Sequence, residues 1–156
     1  MSWIYKDLVL TQCCFCMPLH NGAMMISILE TVGGALSILA GLVTLTTHHN
    51  LIISMLSYWS EIVSGILLAI EGLCLLFGVI RSNELATTVH LGISMISDIF
   101  YWIMTVIYLV LAIQGVHLAF NYFAIFLIVA VLQLYSNLCV LSFLKTLKII
   151  HVVSAE

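Results

Sequence analysis

The 156-residue chain is short of charge. It holds four Lys+Arg, seven Asp+Glu and a single proline, against 63% hydrophobic residues. Charged residues make up 7% of it, where a soluble domain carries about 25%. So few charges cannot cover a folded surface, which excludes an ordinary water-soluble domain and makes membrane lipid the expected solvent. Four basic residues cannot neutralise a run of phosphates, which excludes nucleic acid as a partner. One proline and nine glycines leave no composition for a flexible linker. The opening stretch MSWIYKDLVLTQ sets Asp7 beside Lys6 and has no apolar run ending at a small-residue cleavage point. It does not read as a signal peptide, so the first helix is expected to act as its own insertion signal. Also lacking are HExxH, GxSxG and a phosphate-cradling glycine loop. Neither an enzyme nor a cofactor is expected.

What the chain does contain is four long apolar stretches. A spanning helix needs about 20 apolar residues. The expected spans are 22–46, 59–80, 87–113 and 118–144, closed in turn by TTHHN, RSNE, QGVH and KTLK. They predict an all-α membrane protein, a four-helix transmembrane bundle. Residues 1–21 form a Cys-rich N-terminal segment and 145–156 a short tail. Residues Leu51 to Tyr58 read either as an extension of the second helix or as an interfacial segment, with Tyr58 and Trp59 favouring the interface.

Lys6, Arg81, Lys145 and Lys148 all fall on segments that share one side of a four-span chain. The positive-inside rule then puts both termini in the cytosol. Cys13, Cys14 and Cys16 would be cytosolic too, where a structural disulfide is disfavoured. Three readings remain for QCCFCMPLHNG. The cysteines are juxtamembrane lipidation candidates, in the manner of S-palmitoylation. With His20 they could offer thiolate and imidazole to zinc, though the spacing is poor for a closed four-ligand site, and no metal is expected. Or they are small apolar side chains packed where Pro18 starts a helix. The outer segments hold neither cysteine nor an Asn-x-Ser/Thr sequon, which separates the chain from claudin-like and tetraspanin-like proteins.

Glu30, Glu61, Glu71 and Asp98 lie in the expected spans, and no Lys or Arg does. Each such acid costs about 2.5–3.5 kcal/mol on insertion scales and marks a functional hypothesis. At 1.5 Å per residue, Glu30, Glu71 and Asp98 sit roughly 12, 13 and 16 Å from the cytosolic ends. Gln133, Ser136 and Asn137 on the fourth helix share that depth, so an intramembrane polar layer is expected. Glu61 stands apart near the outer interface. The layer reads as protonated acids joining helices by hydrogen bonds, or as a cation or proton site. A third reading has an acid facing a basic residue in a partner's span. Gly33, Ser37 and Gly41 on the first helix, with Gly65 and Ala69 on the second, predict close helix packing. His48 and His49 read as a solvated loop. His90, His117 and His151 read as ordinary polar residues, and Tyr101 and Trp102 as packing.

CCFCMPLHNGAMMISILETVGG, GILLAIEGLCLLFGVIRSN and LQLYSNLCVLSFLKTLK occur in that order along nearly the whole chain. Together they resemble the lysosome-associated protein transmembrane family and its insect small tetraspan relatives. Members open on a Cys-rich segment that leads into an apolar helix. The resemblance implies a four-span organiser or accessory subunit that binds other integral membrane proteins, or itself as an oligomer. It would sit in the plasma membrane, at cell junctions, or in endosomal and lysosomal membranes. The lysosomal members carry Pro-Tyr motifs in a longer tail, whereas KTLKIIHVVSAE has neither residue. YSNL, a sorting pattern, falls inside the fourth expected span. The alternative function is a small transporter or oligomeric ion pathway using the intramembrane acids.

Overall fold

The computed structural model describes the backbone of residues 12–13, 17–47 and 52–154 and the side chains of residues 17–46 and 55–149. Cys14, Cys16, His48 and His49 lie outside the described residues, as do the side chains of Cys13 and His151. Lys6 is outside them as well.

Four helices carry the fold: α1 Leu19–Thr47, α2 Ile52–Ile80, α3 Glu84–Ile113 and α4 His117–Ser154. Ahead of them, β1 (Gln12–Cys13) and β2 (Met17–Pro18) pair antiparallel, Gln12 opposite Pro18 and Cys13 opposite Met17. The only proline, Pro18, precedes α1, so nothing breaks a helix from within. At 29, 29, 30 and 38 residues, the helices run about 43–57 Å. All four are long and apolar enough to cross a membrane.

The distribution of polarity is inverted relative to a soluble bundle. Met95 and Leu132 are 69% and 62% exposed, while Ser27, Glu71, His90, Ser94 and Ser97 are fully buried. Apolar side chains cover the outside all round, and polar ones share the interior with two apolar clusters. An exposed apolar surface this extensive suits lipid, consistent with an integral multi-pass membrane protein.

Four boundaries differ from the sequence reading by three residues or more, the first being that of α1, which starts at Leu19 rather than Gly22. α2 starts at Ile52, so nearly all of the Leu51–Tyr58 stretch is helix. Tyr58 packs inside, 8% exposed, and only Trp59 faces out. α4 runs through Lys145 and Lys148 to Ser154, so most of the expected tail is helical. KTLKIIHVV has no glycine or proline to stop it. α3 begins three residues before the expected Thr87 because Asn83 caps it: its Oδ1 accepts from Leu85 N at 2.9 Å and Ala86 N at 3.3 Å.

The two described connections are both Schellman turns. Asn83 N donates to Gly78 O at 2.9 Å around Ser82 (φ 48°). Val116 N donates to Leu111 O at 3.2 Å around Gly115 (φ 89°). Glycine suits the left-handed position; Ser82 holds it with a side chain.

The packing is uneven. α1 lies closely along α2, α3 along α4, and α2 touches α3, whereas α1 and α4 barely meet. An apolar cluster of Ala23, Ile26, Leu75, Val79, Cys139, Val140, Phe143 and Leu147 closes one end. His20 sits 5.9 Å from Phe143 there, and Arg81, Lys145 and Lys148 share that end. Tyr101, Met104, Tyr108, Ala119, Phe126 and Ala130 fill the other half. Tyr108 stacks on Tyr122 and Phe126 at 5.2 and 5.4 Å. Polar residues occupy the level between the two clusters.

Candidate functional site

Each residue expected in the polar layer has a partner on another helix. Ser136 Oγ donates to Glu30 Oε1 at 2.9 Å, joining α4 to α1. Ser97 Oγ donates to Glu71 Oε1, and Gln133 Nε2 donates to Glu71 Oε2 at 2.5 Å, so one carboxyl ties α2 to α3 and α4. Gln133 Nε2 also donates to Ser94 Oγ at 3.1 Å. Ser94 Oγ donates to Asn137 Oδ1 at 2.5 Å, and Asn137 Nδ2 donates to Asp98 Oδ2 at 2.8 Å. The structure therefore brings Glu30, Glu71, Asp98, Gln133, Ser136 and Asn137 to one level. The acids act as acceptors that polar side chains from neighbouring helices fill.

The sequence reading missed His90, Ser94 and Ser97. His90 is fully buried beside the acids rather than an ordinary polar residue near a helix end. Its Nδ1 lies 3.0 Å from the Glu71 carbonyl oxygen. A carbonyl only accepts, so Nδ1 carries the hydrogen. The same nitrogen is 3.9 Å from Glu30 Oε2, beyond hydrogen-bond reach. A signal was present: Thr87, His90, Ser94, Ser97, Tyr101 and Thr105 recur at three- and four-residue steps, one buried polar face of α3.

Four buried atoms of the described residues have no hydrogen-bond partner: Glu30 Oε2, His90 Nε2, Asp98 Oδ1 and Tyr101 OH. Three of them belong to residues at most 6% exposed: Glu30, His90 and Tyr101. An orphaned buried polar group costs about 1–3 kcal/mol. Tyr101 also lies within electrostatic range of Glu71, Glu30 and Asp98. No three His, Cys, Asp or Glu among the described residues come together as metal ligands.

Glu61 does stand apart, half-exposed in the other half of the bundle. It accepts from Thr44 Oγ1 at 3.4 Å and hydrogen-bonds Tyr122.

Two cavities lie along the α1–α4 seam. One, of about 220 Å³, is lined by Gly33, Ser37, Glu61, Ser64, Tyr101 and Tyr122 among others. The second, of about 360 Å³, is lined by Glu30, Gln133, Ser136 and apolar side chains such as Ile26 and Leu132. Leu68 and Val129 wall both, so the cavities adjoin.

The close packing of α1 on α2 runs through a different register from the expected one. A Cβ on Gly34 would stand 2.5 Å from Ala69 N, one on Gly65 2.7 Å from Gly34 O, and one on Gly72 2.5 Å from Thr31 N. Gly41 meets Ile62 at 2.7 Å. Gly33 meets only Leu68, at an ordinary 3.6 Å, and it faces the seam cavity with Ser37. Gly41, Gly65 and Ala69 thus lie in the tight interface, and Gly33 and Ser37 beside it.

No family model, curated protein or solved structure matches this chain.

Proposed function

We propose that the chain is a non-enzymatic membrane organiser or accessory subunit that binds other integral membrane proteins, or itself, through its lateral faces. One observation carries this reading. The intramembrane carboxyls are engaged by side chains of the same chain, Glu30 by Ser136, Glu71 by Ser97 and Gln133, and Asp98 by Asn137. Polar side chains that join helices specify how a bundle assembles, and the apolar perimeter is left for lipid and neighbouring spans. The clustering of Arg81, Lys145 and Lys148 at one end supports cytosolic termini under the positive-inside rule. The resemblance to the lysosome-associated protein transmembrane family supports a plasma-membrane, junctional, endosomal or lysosomal address. The Cys13, Cys14 and Cys16 cluster would add acyl chains that direct location or partners.

Purification from native membranes in mild detergent tests the proposal. A stoichiometric integral-membrane partner is expected; a lone monomer in every mild detergent would overturn it. Thiol reagents unable to cross membranes should leave Cys13, Cys14 and Cys16 unlabelled in intact cells.

The unpartnered Glu30 Oε2, His90 Nε2 and Asp98 Oδ1 favour one second reading, an ion or proton pathway through the polar layer. The combined change Glu30→Gln, Glu71→Gln and Asp98→Asn separates the two. Loss of an ion flux with assembly intact supports the pathway, and dissociation of the complex supports the organiser.

A further inference from the structure

We propose that the α1–α4 seam docks one transmembrane helix of a different membrane protein, whose single Lys or Arg side chain near mid-span pairs with Glu30. The inference rests on the lateral-partner reading above and supplies its surface and its partner's chemistry.

The seam is where the bundle is unfinished. α1 and α4 barely meet along lengths over which their other neighbours pack closely. The gap is filled by two adjoining cavities of about 220 and 360 Å³, walled in common by Leu68 and Val129. The rim is apolar: Leu29, Ile125 and Leu132, which line the cavities, are each more than half exposed. The floor is polar. Glu30 lines the larger cavity at 6% exposure, with one oxygen on Ser136 and the other without a hydrogen-bond partner, 3.9 Å from His90 Nδ1. Tyr101, 1% exposed with an unpartnered hydroxyl, lines the smaller one. An acid in a lipid-facing cleft calls for a cation.

No described residue of the chain supplies that cation. Among the described residues its Lys and Arg are Arg81, Lys145 and Lys148, all at one end, and no expected span contains a basic residue. His90 is nearby but its Nδ1 hydrogen is directed to the Glu71 carbonyl. A second copy has the same lack, so charge excludes it as the complement to Glu30. A lipid ammonium is also a poor match. Glu30 is 11 residues into α1, roughly 16 Å along its axis and roughly 12 Å into the expected span, well inside a hydrocarbon core about 30 Å thick. Headgroups sit at the interface, roughly 12 Å away. A basic residue in the middle of a foreign span delivers its charge at the right depth, and its apolar neighbours fill the groove.

A single-span leucine-rich peptide with one central lysine tests this, co-reconstituted in bilayers with the donor-labelled full chain and read by energy transfer. The lysine peptide should associate about tenfold more tightly than its all-leucine counterpart. Glu30→Gln should abolish that preference, and Glu84→Gln, at the start of α3, should not. Gly33→Leu, which fills the groove and leaves every acid in the sequence, should weaken both peptides. Equal binding of the two peptides, or retention of the preference in Glu30→Gln with the variant still folded, overturns the proposal. So does displacement of the peptide by dodecylamine at bilayer concentrations matched to the peptide, which would make the site one for amphiphilic amines. Co-purification of a native partner that survives both Glu30→Gln and Gly33→Leu would overturn the seam while sparing the organiser reading.

Discussion

α1 has two neighbours and meets them in opposite ways. Against α2 it brings Gly34 and Gly41 onto Gly65, Ala69 and Tyr58, so closely that backbone touches backbone. Against α4 it leaves a cleft bridged, among the described hydrogen bonds, by Ser136 to Glu30. Lipid supplies no hydrophobic drive between helices, so contact has to come from van der Waals closeness or hydrogen bonds. The α1–α2 face uses the first, the α3–α4 pair adds aromatic stacking to it, and the α1–α4 face uses almost neither. A bundle in which one seam is dry and another open is suited to hold its shape while keeping one side for a partner.

The largest expected effect comes from closing the approach on the tight side. Gly72→Leu would drive a Cβ into Thr31 Oγ1 and place it 2.5 Å from Thr31 N and 2.7 Å from Ser27 O, both backbone atoms. Overpacking of this kind costs about 3 kcal/mol, and should appear as loss of the folded bundle in detergent unfolding followed by circular dichroism. A fully stable variant would mean that α1 and α2 are not in backbone contact.

Next is the polar level that links the open seam to the rest. Glu71→Leu strips partners from Ser97 and Gln133 and leaves both buried. The expected loss is about 2 kcal/mol, with Glu71→Gln recovering most of it because an amide oxygen still accepts. Equal destabilisation by both would point to a need for charge rather than for hydrogen bonding. In the half of the bundle away from Arg81, Tyr108→Phe removes the 3.0 Å contact with Ser60 and keeps the ring stacked on Tyr122. Hydrogen bonds between membrane helices average about 0.6 kcal/mol, so this change should be small in the same unfolding assay.

These three sites differ in how far they could be read from the chain. The spans followed from apolar length alone, because in lipid a helix has to satisfy its own backbone. The shared depth of Glu30, Glu71, Asp98 and Gln133 followed from the rise per residue. Rotation about each helix axis did not follow. Gly33 and Gly34 are one residue and about 100° apart, and only the packed partner decides which of them faces α2. His90 was misread for a related reason. Counted by distance from a helix end it is peripheral, but the α3 face running from Thr87 to Thr105 places it inside. Where α4 stops was unreadable because a helix without breakers continues past its lysines.

The smallest expected effect tests the open side directly. At Gly33 an added Cβ meets only Leu68, at 3.6 Å, and looks into the cavity lined by Ser37, Ser64 and Tyr101. Gly33→Leu should therefore be tolerated within about 0.5 kcal/mol, and replacing a mid-helix glycine should even offset part of any crowding. Set beside Gly34→Leu, whose Cβ would stand 2.6 Å from Gly65 O, the pair forms a one-residue switch between the two faces of α1. Both unfolding midpoints can be read in one detergent titration. If Gly33→Leu proves as damaging as Gly34→Leu, the cleft is closed in the membrane and α1 packs alike on both sides. If only Gly34→Leu unfolds the bundle, the asymmetry belongs to the protein, and the cleft is free to be filled without disturbing what holds α1 in place.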